Sequence, residues 1–372
     1  MDKRISIIGP GAVGTAVGML AARAGWEVAV AGRDAGRSAR AASAMGERAR
    51  ACSIDEAAAG PVVLLTVSDD AIEKLCADLA GRGAFAPGVT VAHCSGALSS
   101  EALRAARRIG CSVASAHPLQ TFPSAAAAAE KLAGTYFFCE GDEAALAVLD
   151  PLIADLGGRA VRLAGGARAK ALYHAAAVMA CNYLTTSIAS DVGSVDAALS
   201  AHQTEVLVPR MREAVEQKAS DSDFVESSLY TQDLSEESFW VATAATLFGA
   251  GVELMAEAGV DHATAMAALL PLVRATLDNI EAVGPAAALT GPIARGDVET
   301  VRRHLRALRG NKYEQIYRAN GVCTVRLAQR KGSIDVRTAE EFRTLLAVHR
   351  RSMEWLRRLL TVRRWRRPSK RK

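Results

Sequence analysis

The sequence predicts an α/β domain built on a mostly parallel, doubly wound sheet, followed by an all-α domain. Three observations carry this. Over the first 165 or so residues, short β-branched runs alternate with Ala-rich segments of helical period, the texture of a parallel sheet covered by helices. A G-x-G-x-x-G run lies directly behind the first of those runs. After Gly165 the alternation stops, and helical patterns take over from Lys170 to about Leu360.

In chain order, strands are expected at 5–8, 27–31, 62–67, 89–93, 112–116, 136–139 and 160–163. Intervening stretches such as "TAVGMLAARAG" and "SSEALRAARRIG" are helical in period and stop at glycine, a favoured helix end. The domain boundary falls near "AGGARA", which gives 1–165 as a nucleotide-binding unit, 166–360 as a helical unit and 361–372 as a basic tail. Residues 217–238, "QKASDSDFVESSLYTQDLSEES", are polar and read as a surface loop or insertion between helices.

With 372 residues, two domains are the natural expectation. Half the residues are hydrophobic and 23% are charged, as in soluble globular proteins. No apolar run reaches the roughly 18 residues that span a bilayer. "MDKRISIIG" enters a strand without a signal-peptide layout, so a cytoplasmic location and no membrane partner are expected. The seven cysteines are scattered and never form C-x-x-C, so neither a metal site nor a disulfide framework is expected. The net charge of +5 is concentrated in "RRWRRPSKRK", which holds seven Lys or Arg; the remainder carries 38 basic against 40 acidic side chains. A nucleic-acid partner is therefore not expected, apart from whatever that tail touches.

Gly9, Gly11 and Gly14 lie directly after the first strand and at the start of a helix, and with Ala12 and Val13 between them are expected to bind the cofactor. The first glycine permits a tight turn, the second lets the backbone approach a pyrophosphate, and the third lets helix and strand pack closely. The helix N-terminus faces the anion. This is the fingerprint of a Rossmann dinucleotide domain. Where an NAD site usually has an acid, this chain reads "AGRDAGR": Gly32 leaves room, and Arg33 with Arg37 can pair with the 2′-phosphate of NADP, while Asp34 is the competing sign of NAD.

Ligands of such sheets lie beyond the strand C-termini. Ser68 to Asp70 are expected to border the nicotinamide ribose, with Ser68 a cofactor contact and Asp69 or Asp70 alternatively capping the following helix. Ser95 and Gly96 offer a hydroxyl and an open N–H, or again a cap. His117, held by Pro118, can orient a substrate or move a proton. In "KALYHAAAVMACN", Lys170 and His174 lie about 40° apart around a helix and share a face that can line an interdomain cleft. A partly desolvated Lys can neutralise charge developing during hydride transfer. The alternative is a snorkelling Lys170 and a satisfied core His174. Asn182 belongs either to the same wall or to a helix–helix contact. In "ALTGPIARGDV", Asp297 reads as the cap of a helix from Val298, and Thr290 and Arg295 can hold a substrate carboxylate.

Taken together, "GPGAVG", "HCSGAL", "HPLQTF", "KALYHAAAVMACNYL" and "NIEAVGPAAALTGPIARGDVETVRRHL" resemble the Rossmann-like NADP-binding family whose helical C-terminal half is a domain of unknown function. These are relatives of ketopantoate reductase, pyrroline-5-carboxylate reductase and 6-phosphogluconate dehydrogenase. The resemblance covers about residues 3–320, interrupted near 190–245. It implies a substrate cleft between the domains and a homodimer formed through the helical one. It also implies a Lys-x-x-x-Asn pair in which the Lys serves proton transfer; Lys170 matches, whereas the partner position is His174. The resulting expectation is an NADP-dependent oxidoreductase reducing a small carbonyl or imine, foremost a 2-oxo acid. Ser95 and His117 would position the small-molecule substrate, and Lys170 with His174 would supply the proton. A non-catalytic NADP sensor or scaffold is the alternative.

Overall fold

The structure is a computed structural model. It describes residues 3–120, 132, 134–191, 197–220 and 236–347. The basic tail at 361–372 lies outside the described residues.

Eight strands form one sheet: β1 (Arg4–Ile8), β2 (Glu27–Ala31), β3 (Ala49–Ala51), β4 (Val62–Leu65), β5 (Thr90–His93), β6 (Ser112–Pro118), β7 (Tyr136–Gly141) and β8 (Arg159–Arg162). Their order is β3-β2-β1-β4-β5-β6-β7-β8, parallel throughout except where β6 meets β7. The central strands β4 and β5 are buried along their whole length; β4, "VVLL", is the continuous apolar run expected of a strand covered on both faces, and β5, "TVAH", ends in the buried His93. The edge strand β3, "ARA", is half-buried to exposed and has no β-branched residue, which is why its sequence carries no strand signal. β6 extends two residues past the expected end because His117 and Pro118 pair with Phe138 and Phe137 of β7.

Helices α1 (Ala12–Arg23), α2 (Ala35–Met45), α3 (Ile54–Ala58), α4 (Asp69–Gly81), α5 (Arg104–Arg108) and α6 (Glu143–Asp155) belong to this sheet region. The chain winds to β3 on one side of β1, then returns to β4 on the other. That reversal opens a crevice beyond the carboxyl ends of β1 and β4, where an open α/β sheet takes its ligand.

The helical part comprises α7 (Gly166–Ala177), α8 (Tyr183–Asp191), α9 (Ala197–Ser220), α10 (Glu236–Glu257), α11 (His262–Ala288), α12 (Gly291–Ala294), α13 (Val298–Ala307), α14 (Glu314–Lys331) and α15 (Val336–Leu346). A widened π-type turn, Val178–Asn182, joins α7 to α8. The polar stretch expected as a loop is helical at both ends, since α9 runs to Ser220 and α10 starts at Glu236; its middle, 221–235, lies outside the described residues. One hydrophobic core ties the two parts together, because Leu119, Phe138 and Leu163 of the sheet region pack with Leu172, Tyr173 and Met179. Among the described residues no helix is long and apolar enough to cross a membrane, and all seven cysteines are free thiols.

Candidate active site between sheet and helices

The glycine loop is shaped by contacts that only glycine permits. Gly9 sits at φ +121°, and a Cβ there would come within 2.7 Å of the Thr66 carbonyl carbon. A Cβ on Gly14 would collide with the Gly9 carbonyl oxygen and with Thr66 Oγ1. That hydroxyl donates to the same carbonyl at 2.7 Å, fastening the loop to the end of β4. Around Gly11, by contrast, nothing lies within 4 Å of where a Cβ would be. The space opens onto the first turn of α1, where the N–H groups of Ala12, Val13 and Gly14 have no carbonyl within the helix to bond and no acidic side chain intrudes. An open, uncapped and acid-free helix start beside a glycine fits a dinucleotide pyrophosphate.

Beyond β2, Asp34 is spent on its own helix: its carboxylate accepts the Arg37 N–H at 3.0 Å as the cap of α2, and that bond draws its pKa down. Arg37 donates from Nε to the Pro10 carbonyl at 3.2 Å, so its guanidinium lies against the glycine loop. Arg33 is exposed on the same rim.

A cleft of about 530 Å³ separates the strand ends from the helices. Val13, Asp69, Ser95, Gly96, His117, His174, Asn182, Thr290 and Arg295 reach it. Ser68 does not: it is exposed at the start of α4, where its side chain makes no capping bond. Neither Asp69 nor Asp70 is the cap, since both already lie inside the helix. Asp69 instead borders the cleft, and burial raises its pKa against the opposing pull of Ser95 and Arg295.

The turn after β5 is built on a buried histidine. His93 Nδ1 accepts the Ser95 N–H at 3.1 Å, so its proton is on Nε2 and is donated to the Ser99 carbonyl at 3.1 Å. Burial holds its pKa down at about 3. Ser95 Oγ accepts the N–H groups of Ala97 and Leu98 at 3.2 and 3.0 Å, closing a turn within the loop rather than capping a helix. Gly96 is thereby pushed against two imidazoles: a Cβ there would meet His174 Cδ2 at 2.6 Å and His117 Cε1 and Nε2 at 2.9 Å.

His117 and His174 stand edge-on with ring centres 5.9 Å apart. Each is held from behind. His117 Nδ1 lies 2.6 Å from the Tyr173 hydroxyl. His174 Nδ1 lies 2.8 Å from His304 Nε2, and His304 Nδ1 lies 2.6 Å from the Tyr317 hydroxyl. Burial, reinforced by nearby cationic and imidazole groups, pushes both cleft histidines well below the usual imidazole pKa.

Lys170 is one turn from His174 but does not share the cleft. It is fully buried, and its ammonium donates to the Phe138 carbonyl of β7 at 3.1 Å. The turn of α7 that holds Lys170 abuts β7, and the turn after it, with His174 and Ala177, faces the opening. Burial lowers the Lys170 pKa to about 8, with Glu140 the main opposing influence. The shared helical face thus divides into a buried cation and a cleft imidazole.

The opposite wall is the turn before α13. Asn182, on the π-type turn, lines the cleft together with His174 and donates to Thr290 Oγ1 at 3.0 Å, in the turn between α11 and α12 rather than on a facing helix. Gly291, at φ +91°, packs against it so closely that a Cβ would lie 2.6 Å from Asn182 Oδ1. Asp297 caps α13 at Val298 as expected, accepting from Thr300 N and Oγ1 at 3.0 and 2.6 Å. His304, Tyr173, Tyr317 and His93 were not singled out from sequence. The available signal for His304 was a lone imidazole on the buried stripe of an amphipathic helix, beside Val301 and Leu305. Among the described residues no group of three His, Cys, Asp or Glu could hold a metal ion.

Residues 2–118 match the family described as Rossmann-like domain, and residues 135–226 and 239–324 match the Domain of unknown function (DUF2520). No curated protein matches the chain. Among solved structures, 3-hydroxyisobutyrate dehydrogenase from Mycobacterium tuberculosis is 15% identical, over 93% of this chain and 100% of that one, with a TM-score of 0.48. Arogenate dehydrogenase from Synechocystis is 13% identical over 83% and 98%, with a TM-score of 0.43. The match to (S)-3-hydroxybutyryl-CoA dehydrogenase PaaH1 from Ralstonia eutropha, 16% identical with a TM-score of 0.36, spans 44% of this chain and 64% of that one.

Proposed function

Because the chain joins a Rossmann-like domain to a DUF2520 helical domain, we propose that it is an NADP-dependent oxidoreductase that reduces a small carbonyl or imine, foremost a 2-oxo acid. One observation carries the proposal: two imidazole edges meet above Gly96, in a cleft bordered by Val13 of the glycine loop on one side and by Arg295 on the other.

Gly9, Gly11, Ala12, Val13 and Gly14 would hold the pyrophosphate, and Arg33 with Arg37 the 2′-phosphate; Asp34, already capping α2, leaves the rim to the two guanidiniums. When bound, the reduced nicotinamide supplies the hydride. Arg295, which makes no ion pair among the described residues, takes the substrate carboxylate by a charge-assisted hydrogen bond. The turn around Ser95 holds Gly96 under the reacting atom. His117 and His174, kept uncharged by burial, hydrogen-bond the oxygen or nitrogen on which negative charge develops, and the proton that completes the alcohol or amine is taken from water entering the cleft. Lys170 acts from beneath the site, where its positive charge disfavours the imidazolium forms.

The test is purified protein with NADPH, followed by loss of the reduced-nicotinamide absorbance across small 2-oxo acids, neutral ketones and cyclic imines, with NADH in parallel. Turnover of 2-oxo acids with NADPH is the expected result. Tight NADPH binding with no turnover on any of the three classes would replace the enzyme by a sensor.

A further inference from the structure

A neutral imidazole has one N–H and one bare nitrogen, and which one it shows to a cleft is decided by the bond made on its far side. Both cleft histidines turn Nδ1 away, toward groups on buried helices. The Tyr173 hydroxyl behind His117 is fully buried, and its one hydrogen bond among the described residues is to His117 Nδ1. Were Nδ1 to donate, that hydroxyl proton would be left without an acceptor, at a cost of about 1–3 kcal/mol. The hydroxyl therefore donates, and the imidazole proton sits on Nε2.

The same reasoning runs through a longer string behind His174. Tyr317 and His304 are both completely buried. If the Tyr317 hydroxyl donates to His304 Nδ1, His304 carries its proton on Nε2 and gives it to His174 Nδ1 at 2.8 Å. The remaining proton of His174 is then on Nε2. The reverse order would pass the last proton toward Tyr183, a buried hydroxyl with no hydrogen-bond partner among the described residues, whose ring lies 5.1 Å from that of Tyr317.

We propose that Tyr173, and Tyr317 acting through His304, are positioning residues that hold His117 and His174 in the Nε2–H form, so that two N–H donors converge above Gly96. The convergence is visible in the distances from the Gly96 Cβ position to His117 Nε2 and to His174 Cδ2, the ring atom next to Nε2. Two N–H groups directed to one place in the cleft form an oxyanion hole made of imidazoles. The inference deepens the reductase reading and rests on it for the identity of the anion. The tautomers themselves do not depend on turnover.

The experiment is ¹H–¹⁵N correlation of histidine ring nitrogens in the full chain at neutral pH, without ligand. Wild-type His117 and His174 should both be Nε2–H. Tyr173→Phe should shift His117 alone toward the other tautomer, and Tyr317→Phe should shift His304 and His174 together. Wild-type rings protonated on Nδ1, or tautomers that neither substitution moves, would overturn the proposal. If a variant fails to fold, the wild-type spectrum still decides it. Correct tautomers in a protein that reduces nothing would sink the reductase reading and leave this assignment standing.

Discussion

The two sides of the cleft are built by different means. On the sheet side, the glycine loop works through backbone: three glycines within six residues set the turn, and the N–H groups of one helix start do the recognising. Across the cleft from that loop, recognition rests on side chains drawn from the end of β6, from α7 and from the segment around α12, and it is steadied by α13 and α14, so that His117, His174, Arg295, His304 and Tyr317 must all be in register. The first construction has nothing that titrates. The second depends on imidazoles that must stay uncharged. Acid, crowding, loss of charge and change of cofactor should therefore affect the two sides unequally.

Acid should separate them most strongly. His304 on α13, and His93 beneath the β5 turn that presses Gly96 against the two imidazoles, have folded pKa values of about 3, whereas a histidine in the unfolded chain titrates near 6.5. Between those values the unfolded state holds more protons, so stability falls as pH drops from about 6.5 toward 3. The slope is about 1.4 kcal/mol per pH unit for each histidine. Thermal melts from pH 7 to 4.5 should show a steep decline that His304→Gln makes shallower. A flat profile would mean that these imidazoles are not buried as described.

Crowding comes next. Gly96→Ala places a methyl group against His117 and His174, which are side chains and can yield, so the fold should survive. A displacement of about 1 Å is worth roughly 10²-fold in rate. The expected result is a loss of that order in kcat/KM with NADPH affinity unchanged. Gly11→Ala should do the opposite, because its Cβ meets only open space in the protein and so obstructs the ligand alone. Wild-type melting with weakened NADPH binding is the expected signature.

This contrast also explains what could be read in advance. The loop was legible because its glycines sit at a fixed spacing: Gly9 and Gly14 are required by close approaches to the loop itself and to the chain leaving β4, and Gly11 leaves open space for the ligand. His117 was legible because Pro118 marks a strand end. Lys170 and His174 looked equivalent because helical period fixes only which face they share; it does not say that β7 runs against the turn holding Lys170 and leaves the next turn to the cleft. His304 and Tyr317 stayed hidden because their partners lie 130 and 13 residues away, and no period links them. Edge strand β3 escaped because pairing with β2, rather than its own residues, makes it a strand.

Removal of charge should be felt on the helical side for one substrate class only. A charge-assisted bond from Arg295 contributes about 1.5–3 kcal/mol. Arg295→Met should therefore raise KM for a 2-oxo acid by about 10- to 100-fold and leave neutral ketones and cyclic imines nearly unaffected. Equal losses for all substrates would move Arg295 from carboxylate recognition to loop structure.

The smallest effect belongs to the rim of the sheet side. Arg33 is exposed and makes no ion pair among the described residues, so its guanidinium is available to a 2′-phosphate at the cost of ordering one side chain. Salt and solvent screen such a contact, which keeps its contribution near the low end for charged hydrogen bonds, about tenfold in affinity. Arg37 has already committed Nε to the Pro10 carbonyl and has fewer donors left to give. Arg33→Ser should accordingly cut the NADPH over NADH preference by about tenfold, and Arg37→Ser by less. Dissociation constants for both nucleotides, measured at low and at physiological salt, would test the order. If neither substitution changes the preference, the cofactor is chosen by the Asp34 carboxylate despite its cap, and Asp34→Ser should then weaken NADH alone.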